Sequence, residues 1–117
     1  MGNRMSLLHR LTASTHHLDA AELESEVEKL PCAKLKDVER GETAVVGGRV
    51  RSVKFNPTEN VPVLEAELFD GSSQIQLVWL GRRRIAGVEP GRKLLARGRV
   101  GMHNGQRAIY NPWYELQ

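Results

Sequence analysis

Between Thr43 and Glu115 the chain alternates apolar and polar residues with a period of two in five separate stretches. The clearest is Val63–Phe69, in which three apolar residues alternate with Glu65 and Glu67. This pattern is typical of β-strands, because successive side chains point to opposite faces of a sheet. The sequence therefore predicts five strands, at residues 43–55, 63–69, 74–80, 92–100 and 107–115.

Turn residues separate these stretches. Asp70-Gly71 and Asn104-Gly105 are dipeptides typical of β-hairpins, so they predict direct antiparallel connections. Residues 82–86 are predicted to form one short helical turn before Pro90-Gly91 turns the chain again.

Three strands, a helical link and two further strands are the order expected of a five-stranded OB-fold barrel. Closure of such a barrel also leaves no free sheet edge. Val50 and Val53 both belong in the core although they are an odd number of residues apart, which predicts a bulge near Arg51 and Ser52. We predict a mainly-β protein with an OB-fold barrel over residues 43–117.

The residues before Pro31 have a helical pattern instead. Asp19 and Glu22 form a capping-box sequence, and Leu23, Val27 and Leu30 follow at helical spacing. These features predict an N-terminal helical arm over residues 1–31 and a linker over residues 32–42. The sequence leaves open whether the arm docks on the barrel, pairs with another subunit or frays.

The sequence resembles an OB-fold group that includes the wedge domain of RecG-type branched-DNA helicases, and small stand-alone actinobacterial OB-fold proteins. The resemblance covers about seventy residues and rests on five segments: VGGRVRSV (46–53), LEAELFDGS (64–72), IQLVWL (75–80), VEPGRKLLARGRV (88–100) and IYNPWYEL (109–116). It implies an OB fold and a nucleic-acid ligand. No phosphate-binding loop of a helicase motor occurs in the chain, so the resemblance implies binding without strand-driving activity.

The charge is unevenly distributed. The net charge of the whole chain is +3, but residues 1–30 carry three basic and five acidic residues, which gives −2. Residues 82–107 carry eight basic residues against Glu89 alone, which gives +7. Such asymmetry indicates either a polyanionic partner or a solvated basic face without a ligand.

Guanidinium groups suit phosphates because their planar fork donates two parallel hydrogen bonds. In a closed barrel the first strand lies beside the fourth, so arginines of both strands can form one stripe. Phe55, at a strand end beside the first loop, is the preferred platform for stacking a base. The predicted nucleic-acid-binding residues are Arg49, Arg51, Phe55, Arg82, Arg83, Arg84, Lys93, Arg97, Arg99 and Arg107.

The face of strands two and three that OB folds commonly use for binding presents Glu65, Glu67, Gln74 and Gln76, which do not suit phosphate. We expect cross-strand pairing with Arg49 and Arg51 to neutralise the two glutamates. Trp79 is predicted to belong to the core, and one of Trp113 and Tyr114 is predicted to face outwards.

The sequence predicts no catalysis and no cofactor. The four histidines have no cysteine or carboxylate at metal-ligand spacing, and Cys32 has no histidine close in sequence. A lone cysteine favours a reducing, cytoplasmic setting, and no apolar run is long enough to span a membrane. The expected partner is single-stranded or branched DNA, with RNA as a further candidate. The alternative is a protein-interaction module that binds a partner or a second copy through Leu23, Val27 and Leu30.

Overall fold

The computed structural model describes residues 21–23, 32–57 and 60–117. Residues 21–23 are helical, and the rest of the arm predicted over residues 1–31 lies outside the described residues. No helix in the described part of the chain is long and apolar enough to cross a membrane. A 3-10 turn at Leu35–Asp37 precedes six strands: β1 (Thr43–Asn56), β2 (Val63–Phe69), β3 (Gln74–Leu80), β4 (Lys93–His103), β5 (Gln106–Tyr110) and β6 (Trp113–Leu116).

The strands form one mixed sheet in the order β1-β2-β3-β5-β4-β6, and a further β1–β4 pairing closes five of them into a ring. All pairings are antiparallel except β3–β5. The predictions of a mainly-β chain and of the bounds of β2 and β3 are confirmed.

β1 takes part in both halves of the ring. Its first half pairs with β4 as far as Arg49, and from Arg49 onwards it pairs with β2. The register with β2 shifts between Val50 and Ser52, which confirms the predicted bulge. The bulge restores the inward direction of Val53 after Val50 and lets one long strand bend between its two partners.

The segment after β5 differs from its prediction. The sequence indicates one final strand over residues 107–115, whereas the structure has β5 and β6 separated by Asn111 and Pro112. Asn111 has a positive φ of 48°, and proline lacks the N–H that a continuous ladder would need. The Asn111 N–H donates to the Val78 carbonyl (2.6 Å) and its side-chain oxygen accepts from the Leu80 N–H (3.0 Å). Asn111 therefore holds the segment between β5 and β6 against β3 through these two hydrogen bonds.

The predicted helical turn at residues 82–86 is also wrong, because the link between β3 and β4 is formed by bends and tight turns. Ile85 and Val88 of this link are buried in the core, and the Val88 N–H donates to the Ile85 carbonyl (3.1 Å). Two apolar anchors three residues apart hold the link against the ring without a helix.

The core fills the interior of the ring, and residues 32–42, predicted as a linker, contribute to it. Leu35 is fully buried and Val38 is 3% exposed. Ala33 forms a parallel bridge to Val46, on the edge of β1 that does not face β4. The chain before β1 is therefore packed against one end of the ring.

Candidate nucleic-acid interface

The β1–β4 register places basic side chains on one outer surface. Directly opposite residues of an antiparallel pair point to the same side of the sheet. Arg49 lies opposite Lys93, Val45 opposite Arg97 and Thr43 opposite Arg99. Val46 and Ala96 are buried in the core, whereas Arg49, Arg97 and Arg99 are exposed and face outwards. Between them on the same side of the sheet, Leu95 lies opposite Gly47 and is buried. We call the surface formed by Arg49, Arg51, Lys93, Arg97 and Arg99 the basic face.

Two arginines of the basic face rest on aromatic rings. The Arg51 guanidinium lies 4.1 Å from the centroid of the Phe69 ring on β2, and that of Arg97 lies 5.1 Å from the Trp113 ring on β6. These cation–π contacts fix the direction of the guanidinium groups while leaving their N–H edges towards solvent. Phe69 and Trp113 thus belong to the candidate interface, and the sequence did not predict these contacts because neither ring is adjacent in sequence to its arginine.

The electrostatics of the basic face favour an anion. Among the described residues, none of Arg49, Arg51, Arg97 and Arg99 is in an ion pair with a carboxylate. Carboxylates of the described residues therefore do not neutralise these four guanidinium charges, which favours binding of an anion.

The structure does not bring all the predicted site residues together. Arg82 lines a separate cavity of about 510 Å³, formed also by Trp79, Pro112 and Tyr114, on the side of β6 opposite Trp113. Arg83 and Arg84 are exposed on the same link. Phe55 pairs with Leu64 near the end of β1 and is 40% exposed, on the inward-facing side of the strand and away from the basic face.

Arg107 lies under one end of the ring, where it fastens the chain before β1. Its guanidinium donates to the carbonyls of Leu35 and Val38 (both 2.5 Å), to the Ser73 hydroxyl (3.0 Å) and to the Gln74 carbonyl (3.1 Å). The guanidinium of Arg107 therefore donates to four acceptors within the protein. The sequence had predicted that this group contacts phosphate.

We expect Arg107→Ala to lower the free energy of unfolding by about 2 kcal/mol, because hydrogen bonds from a charged donor to buried carbonyls are lost. Denaturant titration followed by circular dichroism measures this change. Arg99→Ala is the matched control, since it removes one exposed arginine and is expected to change stability by less than about 0.5 kcal/mol. Equal stability of the two variants would contradict the anchoring role of Arg107.

The outer face of β2 and β3 is polar and is covered partly by the β4–β5 hairpin. The predicted pairing of the glutamates with Arg49 and Arg51 is wrong, because the register places Glu65 opposite Lys54 and Glu67 opposite Ser52. Glu65 is hydrogen-bonded to the His103 Nε2 atom instead. The bulge in β1 shifts the register and so separates the arginines from these carboxylates.

His103 joins this face to β5. Its Nδ1 atom lies 2.8 Å from the Tyr110 hydroxyl, which donates to the Met102 carbonyl (3.2 Å). The hairpin turn at Asn104 and Gly105 has positive φ at both residues (51° and 78°), as a two-residue turn requires. A cleft of about 260 Å³ beside His103 is lined only by polar and charged side chains, among them Lys54 and Glu67.

The described residues offer little for nucleophilic or metal chemistry. No group of three or more histidine, cysteine or acidic side chains within them could hold a metal ion. Burial, and in second place the negative charge of Asp70, raise the pKa of the Cys32 thiol. Since the thiolate is the reactive form of cysteine, this environment disfavours nucleophilic attack by Cys32.

No protein-family model and no curated protein matches the sequence. Among solved structures, the chain is similar to part of RecG in the structure of RecG bound to a three-way DNA junction, with a TM-score of 0.59 and 23% identity. The match covers 100% of this chain but only 17% of the RecG chain. The protein therefore has a mainly-β fold that resembles one segment of RecG.

Proposed function

We propose that this protein is a non-catalytic, nucleic-acid-binding OB-fold protein whose basic face contacts the backbone of single-stranded or branched DNA. The observation that carries the proposal is the β1–β4 register, which aligns Arg49, Lys93, Arg97 and Arg99 on one outer surface. The closed ring of five strands supports an OB-type barrel as its architecture.

The chemistry of the basic face suits phosphate rather than bases. Arginine binds phosphate oxygens through two parallel hydrogen bonds, and such contacts position a nucleic acid without reading its sequence. From Lys93 to Arg99 the face extends over six residue steps of β4, roughly 20 Å at about 3.3 Å per residue. One strand of B-DNA carries a phosphate every ~3.4 Å of helix axis, so this length matches several consecutive phosphates.

The fold comparison suggests which nucleic acid to test first. RecG binds a three-way DNA junction in the structure to which this chain is similar. The low identity and the small share of RecG that is matched limit the comparison to the fold. A branched ligand is therefore a proposal for this chain, and it belongs in the first titration beside single-stranded DNA.

Two triple variants with the same change of charge test the proposal. We expect Arg49→Gln, Arg97→Gln and Arg99→Gln together to weaken binding to a labelled three-way junction at least about thirtyfold, measured by fluorescence anisotropy. The dependence of log K on log salt is expected to become shallower by about 2, since each lost phosphate contact removes roughly 0.7–0.9 from the slope.

The control removes the three exposed arginines of the β3–β4 link, Arg82, Arg83 and Arg84, by the same substitution to glutamine. Its net charge equals that of the basic-face variant, so a general charge effect would lower both affinities equally. We expect the control to lose less than about fivefold, as distant charges are screened at physiological salt. A larger loss of affinity in the control than in the basic-face variant would indicate that DNA binds at the β3–β4 link. Equal losses of affinity would indicate that binding depends on net charge and not on the position of the arginines.

A further inference from the structure

The cavity beside the link between β3 and β4 has a lining of its own, separate from the basic face. Its volume of about 510 Å³ is typical of a binding site. Its apolar lining comes from Trp79, Leu80, Ile85, Ala86 and Pro112, and its polar lining from Arg82, Asn111 and Tyr114. Trp79 and Ile85 are almost fully buried, whereas Leu80 is 43% exposed. The cavity therefore combines an apolar floor with a more exposed and partly polar rim.

Contacts at both ends hold the link in place around this cavity. The Gly81 N–H donates to the Pro62 carbonyl (2.8 Å), and the Tyr114 hydroxyl donates to the Ala86 carbonyl (3.0 Å). Ile85 is buried in the core between these two points. The residues between Gly81 and Ile85 are therefore presented from a segment that is fixed at both ends, which reduces the ordering cost when a partner binds.

The link carries a concentrated positive charge. Arg82, Arg83 and Arg84 are all exposed, and Arg82 itself lines the cavity. In the part of the chain that the structure describes, none of the three is paired with a carboxylate. A partner that places carboxylates here gains ion pairs without displacing any from the protein.

The lining of the cavity suits an apolar side chain better than a nucleobase. A base is held by stacking on an open aromatic face and by hydrogen bonds to its edge. Trp79 is only 4% exposed and lies edge-to-face with Tyr114, with 5.9 Å between the ring centroids. The Tyr114 hydroxyl donates within the protein, and the Asn111 side-chain oxygen accepts within it. An apolar side chain needs neither an open ring nor a free hydrogen-bonding group.

From this combination we propose that the link and its cavity form a docking site for an acidic segment of a protein partner. One large apolar side chain of that segment enters the cavity, and carboxylates on either side of it pair with Arg82, Arg83 and Arg84. An exposed apolar site with complementary charge around it is typical of a protein-binding surface. This site is additional to the proposed DNA site and does not depend on it.

The probe is a labelled acidic peptide in which aspartates flank one central leucine, titrated with the full chain by fluorescence anisotropy. We expect a dissociation constant of about 100 μM or lower at low salt. A second peptide of equal charge has serine in place of the leucine. We expect it to bind at least about tenfold more weakly, because burial of a leucine side chain contributes at least that factor. No binding of the leucine peptide, or equal binding of the two peptides, would overturn the proposal.

The two triple variants described above locate the site, because their net charges are equal. We expect the variant with glutamine at 82, 83 and 84 to bind the peptide at least about tenfold more weakly, which is the combined effect of three exposed ion pairs. The basic-face variant is expected to lose less than about threefold. For DNA the order of the two losses is expected to be reversed. Equal losses of peptide affinity would overturn the docking site, whereas absence of DNA binding would contradict only the proposed function.

Competition distinguishes a protein partner from nucleic acid at the cavity. Unlabelled single-stranded DNA is added to the peptide complex of the basic-face variant, in which the proposed DNA site is weakened. We expect the peptide to remain bound at physiological salt. Displacement of the peptide would mean that the link takes nucleic acid, and it would overturn the proposal.

A substitution at the cavity tests whether the peptide docks there. Ala86 is exposed and lines the cavity. Ala86→Glu adds a carboxylate that repels the acidic peptide, and Ala86→Gln is the uncharged control of nearly the same size. We expect Ala86→Glu to bind the leucine peptide at least about fivefold more weakly than Ala86→Gln. Equal affinities of the two variants would overturn the proposal, and thermal unfolding checks that both are folded.

Discussion

Replacing Asp70 with alanine is expected to lower the free energy of unfolding by about 4 kcal/mol, the largest effect we predict for a single substitution. Asp70 is the only charged residue that is buried within the described part of the chain, with 1% of its surface exposed. Its Oδ2 atom accepts a hydrogen bond from the Leu35 N–H (2.8 Å), in the chain before β1. Its Oδ1 atom accepts from the N–H groups of Ser72 (2.9 Å) and Ser73 (3.0 Å).

The size of the effect follows from the groups that would be left behind. Alanine removes every acceptor of these donors, and an unsatisfied buried N–H alone costs about 1–3 kcal/mol. Hydrogen bonds to a charged acceptor contribute about 1.5–3 kcal/mol each, although they are not additive. Two hydrogen bonds hold the Leu35 backbone: its N–H donates to Asp70, and its carbonyl accepts from Arg107. Loss of Asp70 therefore also removes one of the two hydrogen bonds that keep Leu35 in the core.

Two further variants make the test specific, with urea unfolding as the measurement. Asp70→Asn keeps an acceptor for the turn but places an amide donor in the site. We therefore expect its free energy of unfolding to lie between that of the wild type and that of Asp70→Ala. Ser72→Ala removes only the hydroxyl that donates to Asp70 Oδ1 (2.7 Å) and is expected to cost less than about 1 kcal/mol. If Asp70→Ala lowered the free energy of unfolding no more than Ser72→Ala, the hydrogen bonds that Asp70 accepts from backbone N–H groups would not stabilise the fold.

Replacing Gly48 with alanine is expected to cost about 3 kcal/mol, through overpacking against the backbone. A Cβ atom at Gly48 would lie 2.4 Å from the Phe69 carbonyl oxygen and 2.8 Å from its carbon. Backbone atoms of a paired strand cannot rotate away as a side-chain tip can. Gly48 precedes Arg49, the residue at which β1 passes from β4 to β2, so relief of the clash must disturb both pairings.

Gly101→Ala is the matched control for this substitution. A Cβ atom at Gly101 would meet only the Ala108 carbonyl oxygen, at 3.9 Å, which is an ordinary contact. We expect the control to change stability by less than about 0.5 kcal/mol in the same denaturant titration. Similar losses in the two variants would mean that the close approach of β1 to β2 is not what requires glycine. Because Arg49 follows Gly48, Gly48→Ala is also expected to weaken DNA binding at temperatures where the variant is still folded.

The proposed function and the stability of the fold both depend on the part of β1 around Arg49, where its pairing changes from β4 to β2. Its first half supplies the opposite partners of Arg97 and Arg99, and its second half pairs with the strand that carries Phe69. The strands on both sides of β1 are therefore held in place by one strand and its bulge. Substitutions that straighten β1 are expected to lower affinity for DNA before they unfold the chain.

The positions of β1 to β4 and of the bulge could be predicted from the sequence, whereas the division of the last strand into β5 and β6 could not. The bounds of β2 and β3 follow from alternation, because a strand with one buried face must place an apolar residue at every second position. The odd spacing of Val50 and Val53 located the bulge by the same rule. The sequence also identified the basic residues as candidates, since charge is a property of composition.

Which basic residues lie side by side depends on the tertiary structure. Arg49 and Lys93 are opposite because β1 closes the ring against β4, a contact between segments far apart in sequence. Arg107 became an anchor because the chain before β1 folds back beneath β5, and Glu65 found His103 through the β4–β5 hairpin. Periodicity reports which face of a strand is buried but says nothing of its neighbours in space. Strand register and closure of the ring therefore determine which arginines lie on the basic face and that Arg107 anchors the chain before β1.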